Sequence, residues 1–135
     1  MLDIDKILDK GLEPNCSLND NEILVFALAY LESVADMEGW DHFFTYNMDL
    51  YPNAIKILKL AGDFESLKVL NDYKKHFIDL GIQFNPTDID YFLASASPQY
   101  FDFSPDWREL FSDLSEKRWE LISAYFKRNN IKIKT

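Results

Sequence analysis

The sequence predicts an all-α fold, a single compact domain of about six to seven helices joined by short loops. Three observations carry this reading. Apolar residues recur at spacings of three and four and seldom alternate. The four glycines, Gly11, Gly39, Gly62 and Gly81, stand isolated where helical patterns end or restart, as suits C-caps and short turns. Eleven Phe, seven Tyr and three Trp in 135 residues supply enough aromatic mass for one well-filled core.

A first short helix is expected over 2–10, with Ile4, Ile7 and Leu8 inward. Asn19-Asp20-Asn21-Glu22 offers a capping box for a second helix, whose stripe is Ile23, Phe26, Ala27, Tyr30, Leu31 and Val34. Gly39 breaks that run, and Trp40 to Phe44 form a short helix or turn. Tyr51-Pro52 opens the next helix, since proline suits a first turn. Its apolar side is Ile55, Leu58 and Leu60, and Ala61-Gly62-Asp63 ends it. Phe64 to Leu80 is a long amphipathic helix turning in Leu67, Leu70, Tyr73, Phe77 and Leu80. Asn85-Pro86-Thr87 signals a further helix start, with the helix running from Asp88 to about Ser95. Residues 95–104, with Pro98, read as a loop, and Pro105 opens a last helix to about Lys127. Serines at 112 and 115 are its weak point. Three regions follow: 1–17, an N-terminal helix and linker; 18–129, the helical domain; and 130–135, a basic tail.

Charge narrows the function. Fourteen Lys and Arg face 23 Asp and Glu, a formal charge of −9. Four of those bases lie in the last nine residues, so the first 126 residues carry −13. Such a body repels nucleic acid and anionic membrane and attracts basic protein surfaces; the bland alternative is that the excess only keeps the chain soluble. The beginning, Met1-Leu2-Asp3-Ile4-Asp5-Lys6, lacks the basic start and apolar run of a signal peptide. The longest apolar run, Ile23 to Leu31, is too short to span a bilayer. One cysteine, Cys16, excludes an internal disulfide, so a cytoplasmic setting is expected.

Catalytic motifs are missing. There is no glycine-rich phosphate loop, and His42 and His76 have no His-x-x-x-His or Glu-x-x-His partner for a metal. Cys16 reads as a small buried residue rather than a nucleophile. Asp41 beside His42 reads as a polar edge on an aromatic contact rather than an acid–base pair. Asp88 and Asp90 suit a helix start, where carboxylates oppose the positive dipole end. Tyr46, Tyr51, Tyr91, Tyr100 and Phe101 could stack bases, but stacking surfaces need a basic groove and the neighbouring charges are acidic. The expectation is a non-enzyme without cofactor or metal that does not bind nucleic acid directly.

The distinctive pattern is a row of acids at Asp102, Asp106, Glu109, Asp113, Glu116 and Glu120, spaced four, three, four, three and four. On one continuous helix they share a side. Trp107, Leu110, Phe111, Leu114, Leu121, Ile122 and Tyr125 then fall roughly opposite. A solvated helix face is the plain reading; a partner-binding face is the sharper one, and these six are its candidate residues.

Residues 18–34, followed by Gly39-Trp40-Asp41-His42-Phe43-Phe44, then Leu60-Ala61-Gly62 and the closing Tyr125-Phe126-Lys127-Arg128-Asn129, resemble a bacterial family. It is that of the DNA-mimic protein nineteen, a domain-of-unknown-function family, and the resemblance spans about 18–129. The turn departs from the family pattern, with Met37-Glu38-Gly39-Trp40 where an Asn-Gly-Gly-Phe-like step is favoured and His42 where glutamine is. The resemblance implies an all-α fold, a homodimer, and binding of a helix-turn-helix transcription regulator in place of DNA. A different class of acidic interaction module is equally consistent with the charge: an immunity or antitoxin protein that neutralises a basic toxin.

The row alone is too sparse for mimicry. Steps of 3.5 residues place a charge every ~5 Å along a helix axis, against one per ~1.7 Å of duplex counting both strands. Further rows would have to come from Asp63, Glu65, Asp72, Asp79, Asp88 and Asp90, or from a symmetric partner.

Overall fold

The computed structural model describes residues 3–13, 17–37, 40–94 and 107–132. Cys16, Gly39, Asp102, Asp106 and the loop expected at 95–104 lie outside the described residues, as do the side chains of Asp41 and His42. Among the described residues there are eight α-helices and one 3-10 turn: α1 (Ile4–Leu12), α2 (Asp20–Met37), α3 (Trp40–Tyr46), the 3-10 turn Met48–Leu50, α4 (Tyr51–Ala61), α5 (Phe64–Asp79), α6 (Pro86–Ala94), α7 (Trp107–Asp113) and α8 (Ser115–Arg128). The all-α expectation holds. The helix count exceeds the six to seven expected, chiefly because the last helix is two.

Local chemistry starts each helix. Asp3 caps α1 by accepting the Lys6 amide at 3.1 Å. At α2 the capping box forms reciprocally: Asn19 Oδ1 accepts the Glu22 amide at 2.8 Å, and Glu22 Oε1 accepts the Asn19 amide at 3.0 Å. The other oxygen of Glu22 takes Lys10 Nζ at 2.7 Å, fastening α1 to α2. That bond is the largest influence holding the Glu22 carboxyl below its ordinary pKa. Asn85 caps α6 through the Asp88 amide at 2.8 Å. Gly62 and Gly81 close α4 and α5 at φ 76° and 81°, a region that L side chains rarely adopt.

α2 is the axis of the molecule, packed by α1, α3, α4 and α7. The sequence pattern shows one stripe, but Leu24, Val25, Leu28 and Ala29 are buried as fully as Phe26, Ala27, Leu31 and Val34. A helix apolar on nearly every side is a buried helix, and its neighbours close around it. Beside it lies an aromatic cluster centred on Tyr73. The Tyr73 ring meets Phe44 at 4.9 Å, Trp40 and Phe77 at 5.1 Å and Trp107 at 5.4 Å, mostly edge to face. α3, α5 and α7 are thus joined by aromatic contacts.

The expected inward stripe is incomplete in two places. In α4, Ile57 and Ala54 are buried while Leu60 is 41% exposed. In α7, Leu110 is 48% exposed and Trp107 and Phe111 are buried. In both, most of the expected stripe is inward, Leu58 in α4 and Trp107 and Phe111 in α7, and one leucine of it faces out.

Gly11 does not end a helix; it lies within α1, where a Cβ would overlap the Phe26 ring of α2. The glycine lets two helices approach closely. Gly11→Ala therefore gains about 1 kcal/mol of helix propensity but loses about 1–3 kcal/mol to overpacking. The expected outcome is net destabilisation in urea melts, relieved by adding Phe26→Leu.

Candidate interaction surface

Of the six acids in the row, the four described ones are all exposed: Glu109 and Asp113 on α7, Glu116 and Glu120 on α8. They do not lie on one helix. The ladder stops at Leu114, with φ −91° and ψ 0°, and α8 restarts from its carbonyl, which accepts the Arg118 amide at 2.8 Å. The row is therefore two pairs on two axes, 109 with 113 and 116 with 120. Glu116 in the first turn of α8 opposes its dipole, which gives this acid a structural reason to be there as well. Asp113, Glu116 and Glu120 make no ion pair among the described residues.

The acids that would have widened the row are mostly committed elsewhere. Asp63 is only 3% exposed and caps α5. Glu65 meets Lys117 of α8 at 2.8 Å, Asp72 meets Lys68 at 2.7 Å and Asp79 meets Lys75 at 2.7 Å. Asp88 accepts Asn85 Nδ2 at 2.9 Å. Asp90 is exposed. The broad acidic sheet expected from residue spacing is thus interrupted by lysines on α5 and α8.

Beneath the acidic corner lies a buried polar network that spacing alone does not reveal. Arg118 is completely buried. Its Nε and Nη2 donate to Glu32 Oε1 at 2.9 and 2.7 Å. Its Nη1 donates to Ser66 Oγ at 3.0 Å and to the Phe111 carbonyl at 2.9 Å, and the guanidinium lies 3.7 Å from the centre of the Phe111 ring. Ser66 in turn donates to Asp63 Oδ2 at 2.6 Å. Glu32 also accepts Trp119 Nε1 at 3.1 Å and Ser115 Oγ at 3.0 Å. Burial pulls the guanidinium pKa below its ordinary value while Glu32 and Asp63 oppose that pull, and arginine stays charged.

Burying an arginine is costly unless its donors are satisfied. Here a carboxylate of α2, a hydroxyl of α5 and a carbonyl of α7 take its donors, and a second carboxylate at the α5 cap holds the hydroxyl. The signal in the sequence is phase: Phe111, Arg118, Ile122 and Phe126 fall along the buried side, and Glu32 follows Leu28 by one turn on a helix that is apolar through its middle.

Other features give little chemistry. His76 packs on Trp107 at 5.0 Å between ring centres, and burial lowers its pKa. An open groove of about 390 Å³ between the end of α5 and α6 is lined by Gly81, Ile82, Gln83, Asp88, Tyr91 and Phe92. Among the described residues, no three His, Cys, Asp or Glu groups are gathered to hold a metal, and no helix is long and apolar enough to cross a membrane.

Arg118→Ala leaves the half-buried Glu32 and the buried Asp63 without their cation. Urea melts should show a loss of about 3–5 kcal/mol, whereas Lys68→Ala, which breaks only a surface pair, should stay within about 0.5 kcal/mol of the parent.

A family model described as DMP19-like protein matches residues 16–130. No curated protein and no solved structure matches the chain.

Proposed function

This chain belongs to the DMP19-like protein family, and we propose that it is a non-catalytic acidic protein that binds a basic DNA-binding protein in place of DNA. The observation that carries the reading is the exposed α7–α8 corner, where Asp113, Glu116 and Glu120 carry charge not neutralised by any lysine or arginine among the described residues. A protein of charge −9 that leaves these acids unpaired while pairing Glu65, Asp72 and Asp79 presents one cluster of its exposed negative charge here, apart from the exposed acids at Asp5, Asp9, Glu13, Asp20, Asp49 and Asp90. Carboxylates there would occupy lysines and arginines of a regulator or nucleoid protein that otherwise grip phosphates. The partner would then leave its DNA site.

The bond is mainly electrostatic, so it weakens steeply with salt. Duplex-like charge density is not needed for competition, because the basic partner's own surface decides how many cations must be met. A toxin-neutralising role uses the same surface, and the identity of the captured partner separates the two.

The test is a pull-down from host lysate at about 50 and 500 mM salt, with the wild type and with Glu109, Asp113, Glu116 and Glu120 all changed to Lys. A basic DNA-binding protein should be retained at low salt, released at high salt and lost from the lysine variant. Equal capture by both proteins would sink the reading. Capture of a nuclease toxin in place of a regulator would transfer it to the immunity class.

A further inference from the structure

We infer that the corner between α7 and α8 is imposed by Arg118 and Glu32 rather than by local sequence. Residues 107–128 then form a two-position element, bent while that clasp is closed and one continuous helix when it is open. Its bearing on partner binding rests on the acidic-face reading above; the element itself does not.

Sharp breaks in helices trace to proline, to glycine or serine pairs, or to a side chain inserted in the hydrogen-bond ladder. Residues 107–128 contain neither proline nor glycine. Ser112 and Ser115 flank the break, but the Ser115 hydroxyl is turned to Glu32 across 83 positions of chain. The inserted side chain is Arg118. The Phe111 carbonyl, which in a continuous helix accepts the amide four residues on, accepts the Leu114 amide at 3.2 Å and Arg118 Nη1 at 2.9 Å. The guanidinium seven residues ahead folds back over the Phe111 ring and holds that oxygen. Glu32 of α2 grips its other edge through Nε and Nη2.

The bend is small in backbone terms. Leu114 at ψ 0° is only about 40° from helical ψ, with φ already on the helical side. Closing that gap returns the Phe111 carbonyl to the Ser115 amide and restores one ladder bond. No steric barrier at glycine or proline stands in the way. What opposes straightening is the set of hydrogen bonds to Arg118 and the seating of Trp107 and Phe111 in the aromatic cluster.

The two positions differ in what they present. Bent, the chain offers Glu109 with Asp113 and Glu116 with Glu120 on separate axes. Straight, it offers the four in single file with steps of four, three and four. A basic partner meets a different spacing of charge in each, so the clasp sets which cation pattern the surface fits.

The experiment follows Leu114 and Ser115 by NMR in the full chain, comparing wild type with Arg118→Met and Glu32→Gln. Opening the clasp should move the Leu114 Cα shift to the helical value and slow exchange of the Ser115 amide by about tenfold or more. Glu32→Gln keeps the volume but removes the charge that holds the guanidinium and puts an NH2 in place of one carboxylate oxygen, so it serves if Arg118→Met does not fold. Unchanged Leu114 and Ser115 signals in a folded variant overturn the inference. The second reading is affinity for a synthetic arginine-rich basic-region peptide, with Asp9→Asn as the control for one lost exposed charge. The clasp variants should lose at least about fivefold relative to that control. If the corner opens and affinity equals the control while the four-lysine variant loses binding, the link between corner and surface is overturned. If the four-lysine variant binds as the wild type does, the acidic-face reading falls, and the Leu114 and Ser115 signals alone decide whether the corner is a clasp.

Discussion

A buried arginine that must be satisfied is the constraint around which this small helical protein is arranged. Arg118 has lost all contact with solvent, and each of its partners comes from a different part of the chain. Glu32 stands on the central helix, Ser66 in the first turn of α5, Asp63 at that helix's cap and the Phe111 carbonyl near the end of α7. A charge in a low-dielectric interior tolerates little displacement of its partners, because its attraction and its desolvation cost are both large there. The network therefore fixes α2, α5, α7 and α8 relative to one another more sharply than apolar packing would. Apolar surfaces can slide by a rotamer; a guanidinium shared among a carboxylate, a hydroxyl and a carbonyl cannot.

The same network divides the molecule's carboxylates into two kinds. Glu22, Glu32 and Asp63 are spent inside or at seams, on Lys10, on Arg118 and on the cap of α5. The acids of the α7–α8 corner stay outside, exposed, above the buried cation. Surface ion pairs such as Lys68–Asp72 add little stability individually; their effect here is to neutralise part of α5. The surface is consequently less like a uniform duplex backbone than its residue spacing implies and more like a short, angled cluster. Binding by such a cluster depends on the partner's cation positions as well as on its total charge.

Much of the fold was legible because helix ends carry local chemistry. The Asn19–Glu22 box, Pro52 in the first turn of α4, Gly62 and Gly81 at positive φ and the Asn85 cap all act within a few residues of their position. Periodicity found the inward side of α5, whose Leu67, Leu70, Tyr73 and Phe77 are buried as expected. It failed where burial depends on distant partners. Nothing local distinguishes Leu60, exposed, from Ile57, buried; the packing of α4 between α2 and α8 decides it. Gly11 looked like a terminus because glycine usually is one, whereas its role is to admit the Phe26 ring. The acidic row was visible as spacing, but the corner that splits it depends on Glu32, more than eighty residues away. Arg118 shares the phase of Phe111, Ile122 and Phe126, but a charged residue in that phase is told from a surface one only by its burial.

Glu32 and Arg118 organise the fold only if they act as one unit. The direct measurement is a double-mutant cycle in urea denaturation with Glu32→Gln, Arg118→Met and the pair combined. If the clasp organises the fold, the two changes are strongly non-additive, with a coupling above about 1.5 kcal/mol and the pair less harmful than the sum of its parts. Additivity to within about 0.5 kcal/mol would mean that the two side chains stabilise the protein independently, and the buried arginine would lose its place at the centre of the structure.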